Sequence, residues 1–121
     1  MAAHSLTGRE RRSLRTHVLD ELARLDEQVR SLGRNLDDIV AAAELVNTDD
    51  EHDPEGATIA FERAQVTALL NQARVDRAAM LVTRDRIEEP GYGLCEHCAG
   101  FIGLERLMTL PSTTRCVSCA R

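Results

Sequence analysis

From Val18 onward the apolar residues of the chain run Val18, Leu22, Leu25, Val29, Leu32, Leu36, Ile39, Ala43, Val46. The steps alternate four and three, an a/d heptad pattern sustained for about four heptads. Few folds can use such a stripe; it asks for a long helix packed against another long helix. Thr7 and Glu10 supply a T-x-x-E capping box ahead of it, and Leu14 and Leu19 widen the apolar face near the start. Gly33 costs ~1 kcal/mol in a helix interior but leaves the phase intact. The pattern predicts a first helix over residues 8–46, roughly 60 Å long at ~1.5 Å per residue.

A second helix is expected from Pro54, a residue suited to a first turn, with Asp53 as its N-cap and Glu55 in its positive first turn. Ile59, Val66, Ala73, Met80 and Ile87 then recur every seven residues, with Leu69 and Leu70 between them. Arg77 and Arg84 stand where a tight seam wants apolar groups, so this helix is expected to pack more loosely. Pro90, Gly91 and Gly93 end it near Glu89. Two heptad helices and a short connection make an antiparallel coiled-coil hairpin over residues 1–90, with its tip near 47–58. A small separate unit occupies 91–121.

That tip is where the charge lies. Asp49, Asp50, Glu51, Asp53 and Glu55 fall in seven residues, and residues 47–56 hold no Arg or Lys, so this stretch matches the whole net charge of −5. Acidity on this scale argues against sequence-independent DNA binding, which needs a basic face. Glu51, Asp53, Glu55, Gly56 and Glu62 do fit the frame of a calcium-binding helix–loop–helix. Glu is too long at two of those positions, however, and Pro54 stiffens the loop. Only 2% of the 121 residues are aromatic, which suits a thin helical molecule better than a thick core. No apolar run approaches the ~20 residues that span a bilayer. The N-terminus lacks the apolar stretch of a secretory signal, so a cytoplasmic location is expected.

Cys95-x-x-Cys98 and Cys116-x-x-Cys119 lie seventeen residues apart, within the spacing of two-knuckle zinc sites. Each C-x-x-C turn aims two thiolates at one centre, and two turns complete a tetrahedral S₄ shell. Disulfides are disfavoured in a cytoplasmic chain. Residues 91–121 are too few to bury a sufficient core unaided, and one Zn²⁺ would supply the missing folding energy. Four cysteines close the shell to a reactive water, so the metal is read as structural. His97 is read as a spacer within the first knuckle. With no nucleophile–base set, phosphate loop or open metal site, the chain is not read as an enzyme.

The stretch "GYGLCEHCAGFIGLERLMTLPSTTRCVSC" resembles the zinc finger of the DksA/TraR-type regulators of bacterial RNA polymerase. The likeness rests on Gly91, Tyr92, Gly93, Cys95, Ile102, Gly103, Arg106, Leu107 and Pro111 besides the knuckles, and covers residues 10–121. It implies a monomeric, mainly α protein: a coiled-coil hairpin followed by a four-cysteine finger, bound in the secondary channel of RNA polymerase, with the acidic tip directed toward the catalytic magnesium. Asp53 matches the family's tip motif, whereas Gly56 replaces its second Asp and Thr58 its Ala. Ala99 and Thr109 stand where Gly and Ala are usual. Arg106 and Arg115 are candidate polymerase contacts. Leu110 and Ala120 stand where some members carry bases that sense guanosine tetraphosphate, so little synergy with that nucleotide is expected. The alternative is a zinc-finger module unrelated to the polymerase channel, binding another protein or nucleic acid. The two finger aromatics, Tyr92 and Phe101, are few for a base-stacking platform.

Overall fold

The computed structural model describes residues 5–45 and 54–120. Three helices occur in chain order: α1 (Gly8–Leu45), α2 (Pro54–Arg86) and a short α3 (Leu104–Thr109). The expected heptad helices are both present and run antiparallel. Helix α1 starts as the capping box requires: Thr7 N–H donates to Glu10 Oε1 at 2.9 Å, and Glu10 N–H to Thr7 Oγ1 at 3.1 Å. The proposed N-cap Asp53, the heptad residue Val46 and the acids Asp49, Asp50 and Glu51 lie outside the described residues. No helix among the described residues is long and apolar enough to cross a membrane.

Helix α2 ends at Arg86, three residues before the position expected from the Pro-Gly signal. Ile87 N–H still donates to Thr83 O at 3.0 Å, but Glu89 N–H turns back to Arg86 O at 2.9 Å and tightens the final turn. A side chain from α1 takes the freed carbonyls: Arg11 Nη1 donates to Ile87 O, and to Glu89 O at 3.3 Å. Those oxygens would otherwise be the orphan acceptors of a helix end. Arg84 and Arg86 in the last turn complement the negative end of the dipole.

The chain divides into two compact units, residues 1–23 with 77–121, and residues 24–76. The first holds most of the core. Leu14, Val18, Ile87 and Leu107 are fully buried there, with Leu6, Leu22, Met80, Tyr92 and Ile102 close behind. Thr83 is also buried, and its hydroxyl donates to Ala79 O at 2.7 Å, as a buried polar group must. Outside this core, Arg15 Nε meets Glu88 Oε1 at 2.5 Å. That pair is largely exposed and screened, so it fixes register more than it stabilises.

In the second unit the seam continues through Leu25, Leu70 and Ala73, all buried, but Val29, Leu32, Leu36, Ile39, Ile59 and Val66 are only half-covered. Two helices alone cannot enclose both flanks of a side chain, so the heptad pattern yields a half-wet seam there. Asn35, Asp38 and Ile39 of α1 line one groove with Glu62, Gln65 and Val66 of α2. Of the residues flanking the heptad stripes, Leu19 is 47% and Leu69 49% exposed. Each lies one step off the a/d stripe, beside a buried partner in sequence, Val18 or Leu70. Leu14→Ala should therefore lower the unfolding free energy by about 2–5 kcal/mol, while Leu19→Ala should change it little. Urea unfolding followed by helix content would compare the two.

Candidate metal centre

The finger is assembled from turns rather than sheet. After α2 the chain folds back so that Leu94 and Phe101 form a single antiparallel bridge, and Ile102 N–H donates to Gly93 O at 2.8 Å. Gly93 has φ 94°, and a Cβ there would meet Leu6 Cδ1 at 3.4 Å and Phe101 Cε1 at 3.5 Å. Backbone conformation and space both call for glycine at this point. Helix α3, which the spacing of the finger did not announce, fills the interval between the knuckles and buries Leu107. Tyr92 is buried and its hydroxyl donates to Pro111 O at 2.8 Å, clasping the two halves. Burial pushes the Tyr92 phenol up, partly offset by the charge of Arg86, whose guanidinium lies 5.8 Å from the ring centroid.

Each knuckle is closed by its own backbone. In the first, Ala99 N–H donates to Cys95 O at 2.9 Å and Cys95 N–H to Gly100 O at 2.8 Å. In the second, Cys119 N–H and Ala120 N–H both donate to Cys116 O, at 3.1 and 3.0 Å. Glu96 N–H donates to Thr114 O at 2.8 Å and ties one knuckle to the other. The result brings the four sulfurs of Cys95, Cys98, Cys116 and Cys119 within 4.8 Å of one another. Cys98 Sγ and Cys116 Sγ are 3.8 Å apart, close to the edge of a tetrahedron with Zn–S bonds of about 2.3 Å. The donor set is all-sulfur and closed, with Cys95 buried and Cys98 exposed. It holds one structural Zn²⁺. His97 is exposed and not among these ligands.

The environment of the sulfurs is uneven. Backbone N–H groups of Cys116 and Cys98 draw the Cys95 thiol down to about 6. Cys119 is pushed up to about 12, first by its hydrogen bond with Cys116 and then by desolvation. A divalent cation resolves this conflict, because it stabilises thiolates that would otherwise repel one another.

The two arginines expected to face a partner are engaged within the finger. Arg106 Nε donates to Arg115 O at 3.0 Å. Arg115 Nε donates to Glu96 Oε1 at 3.1 Å, and its Nη1 lies 3.5 Å from Cys119 O. The hydrogen bond from Arg115 holds the Glu96 carboxyl below its usual range, with Thr114 assisting. These side chains brace the second knuckle against the first, and cysteine spacing alone carries no signal for them. Of the acidic tip residues, Glu55 is described; it is exposed, in the first turn of α2.

Residues 90–121 match the family described as the prokaryotic dksA/traR C4-type zinc finger. The fold resembles that of the transcription factor DksA2 from Pseudomonas aeruginosa, with a TM-score of 0.77 over 93% of this chain and 81% of that one, at 18% identity. No curated protein gives a significant sequence match. The C-terminal segment is thus a four-cysteine zinc finger of the DksA/TraR type. The chain as a whole has the fold of a DksA-type protein.

Ligand thiols must lose their protons to bind, so zinc affinity should rise with pH across the neutral range and fall most steeply below about 6, where Cys95 also takes up its proton. Competition with a chromophoric chelator between pH 5 and 8 would show it. Chelation at neutral pH should unfold residues 91–121 and leave most of α1 and α2 helical by circular dichroism.

Proposed function

We propose that the chain regulates transcription by binding bacterial RNA polymerase in the cytoplasm, acting as a monomer and without catalysis of its own. In this reading residues 1–90 are the working hairpin, whose acidic tip enters the secondary channel, and residues 91–121 are the finger that holds its base. The single observation that carries it is the pairing of a DksA/TraR-type finger with a DksA-type fold. Charge agrees with it. Residues 24–76 contain twelve acids against five arginines, a net −7, which suits a cationic groove in a partner.

The second unit also offers apolar contact. Phe61 is 70% and Val75 62% exposed on α2, on the side away from its seam residues Ile59, Val66 and Ala73. We read these two side chains as candidate contacts for a protein partner. Binding is therefore assigned to the hairpin flanks and the finger, and the effect on initiation to charge at the tip. Asp53 is the principal effector in this scheme, with Glu55 beside it and Asp49, Asp50 and Glu51 secondary. Arg106 and Arg115 contribute through the surface of the finger. Guanosine tetraphosphate adds little, since Leu110 and Ala120 offer a phosphate neither charge nor side-chain donor.

Asp53→Asn keeps the N-cap acceptor but removes one charge where water is partly excluded and screening is weak. The variant should bind the matching polymerase as the parent does and lose most of its effect on initiation. Phe61→Ser should do the reverse, weakening binding while helix content stays unchanged. Polymerase affinity measured beside in vitro transcription separates the two. Full activity in Asp53→Asn, or joint loss of binding and activity, would remove the tip as effector. A parent chain that fails to bind polymerase would end the proposal altogether.

A further inference from the structure

Among the described residues Ala99 is the one non-glycine residue with positive φ, at 61°. It follows Cys98 directly, in the turn that sets the first pair of metal ligands. Both ends of that turn are fixed, because Ala99 N–H donates to Cys95 O and Gly100 O accepts from Cys95 N–H. The left-handed conformation is imposed by this closure, and for an L-residue with a Cβ it is costly. Packing does not offset the cost, since Ala99 is exposed. The neighbouring glycine meets a different need: a Cβ on Gly100 would lie 3.4 Å from Cys98 Sγ. The chain thus places glycine where room beside a ligand sulfur is tight and alanine where the backbone favours glycine.

We infer that Ala99 is a positioning residue that limits how tightly the finger holds its metal, making the zinc more readily exchanged than this four-cysteine scaffold allows. In a finger too small to fold alone, metal binding and folding form one equilibrium. Any strain stored in the liganded turn is subtracted from the metal's binding free energy. The donor set, its geometry and the closed shell are untouched. What changes is the free energy of holding Cys95 and Cys98 in the register that the metal requires.

The test uses the full chain with Ala99→Gly, Ala99→Asn and Ala99→Val. Because the side chain at 99 is exposed, the series varies tolerance of positive φ with little change in packing. Zinc affinity is read by chelator competition and zinc loss by the rate of transfer to the chelator. Cobalt(II) substitution reports the ligand field. Glycine also has more freedom to lose on folding, so the net gain for Ala99→Gly is expected at about three- to tenfold tighter zinc binding, with slower zinc loss. Ala99→Asn should lie between Gly and the parent, and Ala99→Val should bind more weakly. The cobalt spectrum should keep its tetrahedral all-sulfur form throughout. An Ala99→Gly variant that binds zinc no tighter than the parent would overturn the inference, as would an Asn variant weaker than the parent. If Ala99→Val fails to fold, the Gly and Asn variants decide.

Discussion

Residues 91–121 bring four sulfurs together before they bring together much else. The apolar side chains buried within that segment come to little more than Tyr92, Ile102 and Leu107, far short of what about thirty residues need to fold alone. Metal–thiolate bonding, at an apparent ~10–16 kcal/mol for structural zinc, outweighs anything such a core can supply. The remaining finger contacts depend on the turns that the metal closes. The hydroxyl of Tyr92 donates to Pro111 O, joining the segment before the first knuckle to the one before the second. The Glu96–Arg115 and Arg106–Arg115 contacts likewise bridge segments that have little other reason to meet.

That metal-dependent fold is continuous with the core of the first unit. Leu6, ahead of α1, would be touched by a Cβ on Gly93. Arg11 of α1 caps the carbonyls just beyond α2, and Ile87 in the same turn is fully buried. The end of α2 is therefore held by an arginine from α1 and by the turn leading into the finger. In the second unit most seam positions are only half-covered, and polar residues such as Asp38 and Glu62 flank the groove. Stability differs accordingly between the units: core burial supports the first, while propensity and a partly wet seam support the second.

Much of this was legible in the residues themselves. Heptad steps identify both helices, because burial on one face leaves a period in the sequence. Paired C-x-x-C turns identify the metal because thiolate geometry fixes their spacing. Three features left no such trace. Leu19 and Leu69 look like extensions of the apolar face, but a two-helix interface is too narrow to reach one position further around the helix. Glu89 looks like the end of α2, yet Arg11, 78 residues earlier in the chain, accepts the task of satisfying carbonyls that three more residues of helix would have left free. Ala99 gives no warning of its positive φ, since that value is set by hydrogen bonds closing the turn around it. The roles of Arg106 and Arg115 inside the finger were hidden for the same reason: arginine reads as surface until its acceptors are known.

Charge shows how these parts serve one another. The unit of residues 24–76 carries a net −7, and the unit that includes the finger carries ten arginines against eight acids. On α2 of the second unit, Ala60, Ala64, Thr67, Ala68 and Asn71 line a shallow groove edged by Arg63. On α1, Glu27 pairs with both Arg30 and Arg34, at 3.2 and 3.4 Å. Such exposed pairs contribute little to folding, and the negative charge of the unit comes from acids that outnumber its arginines twelve to five. In the proposed reading a cationic surface on the partner would attract this unit at long range and order its approach. Short-range apolar contact is available along α2 once that approach is made. Metal binding and core packing thus fall together in the unit of residues 1–23 and 77–121, while the excess of negative charge falls in residues 24–76.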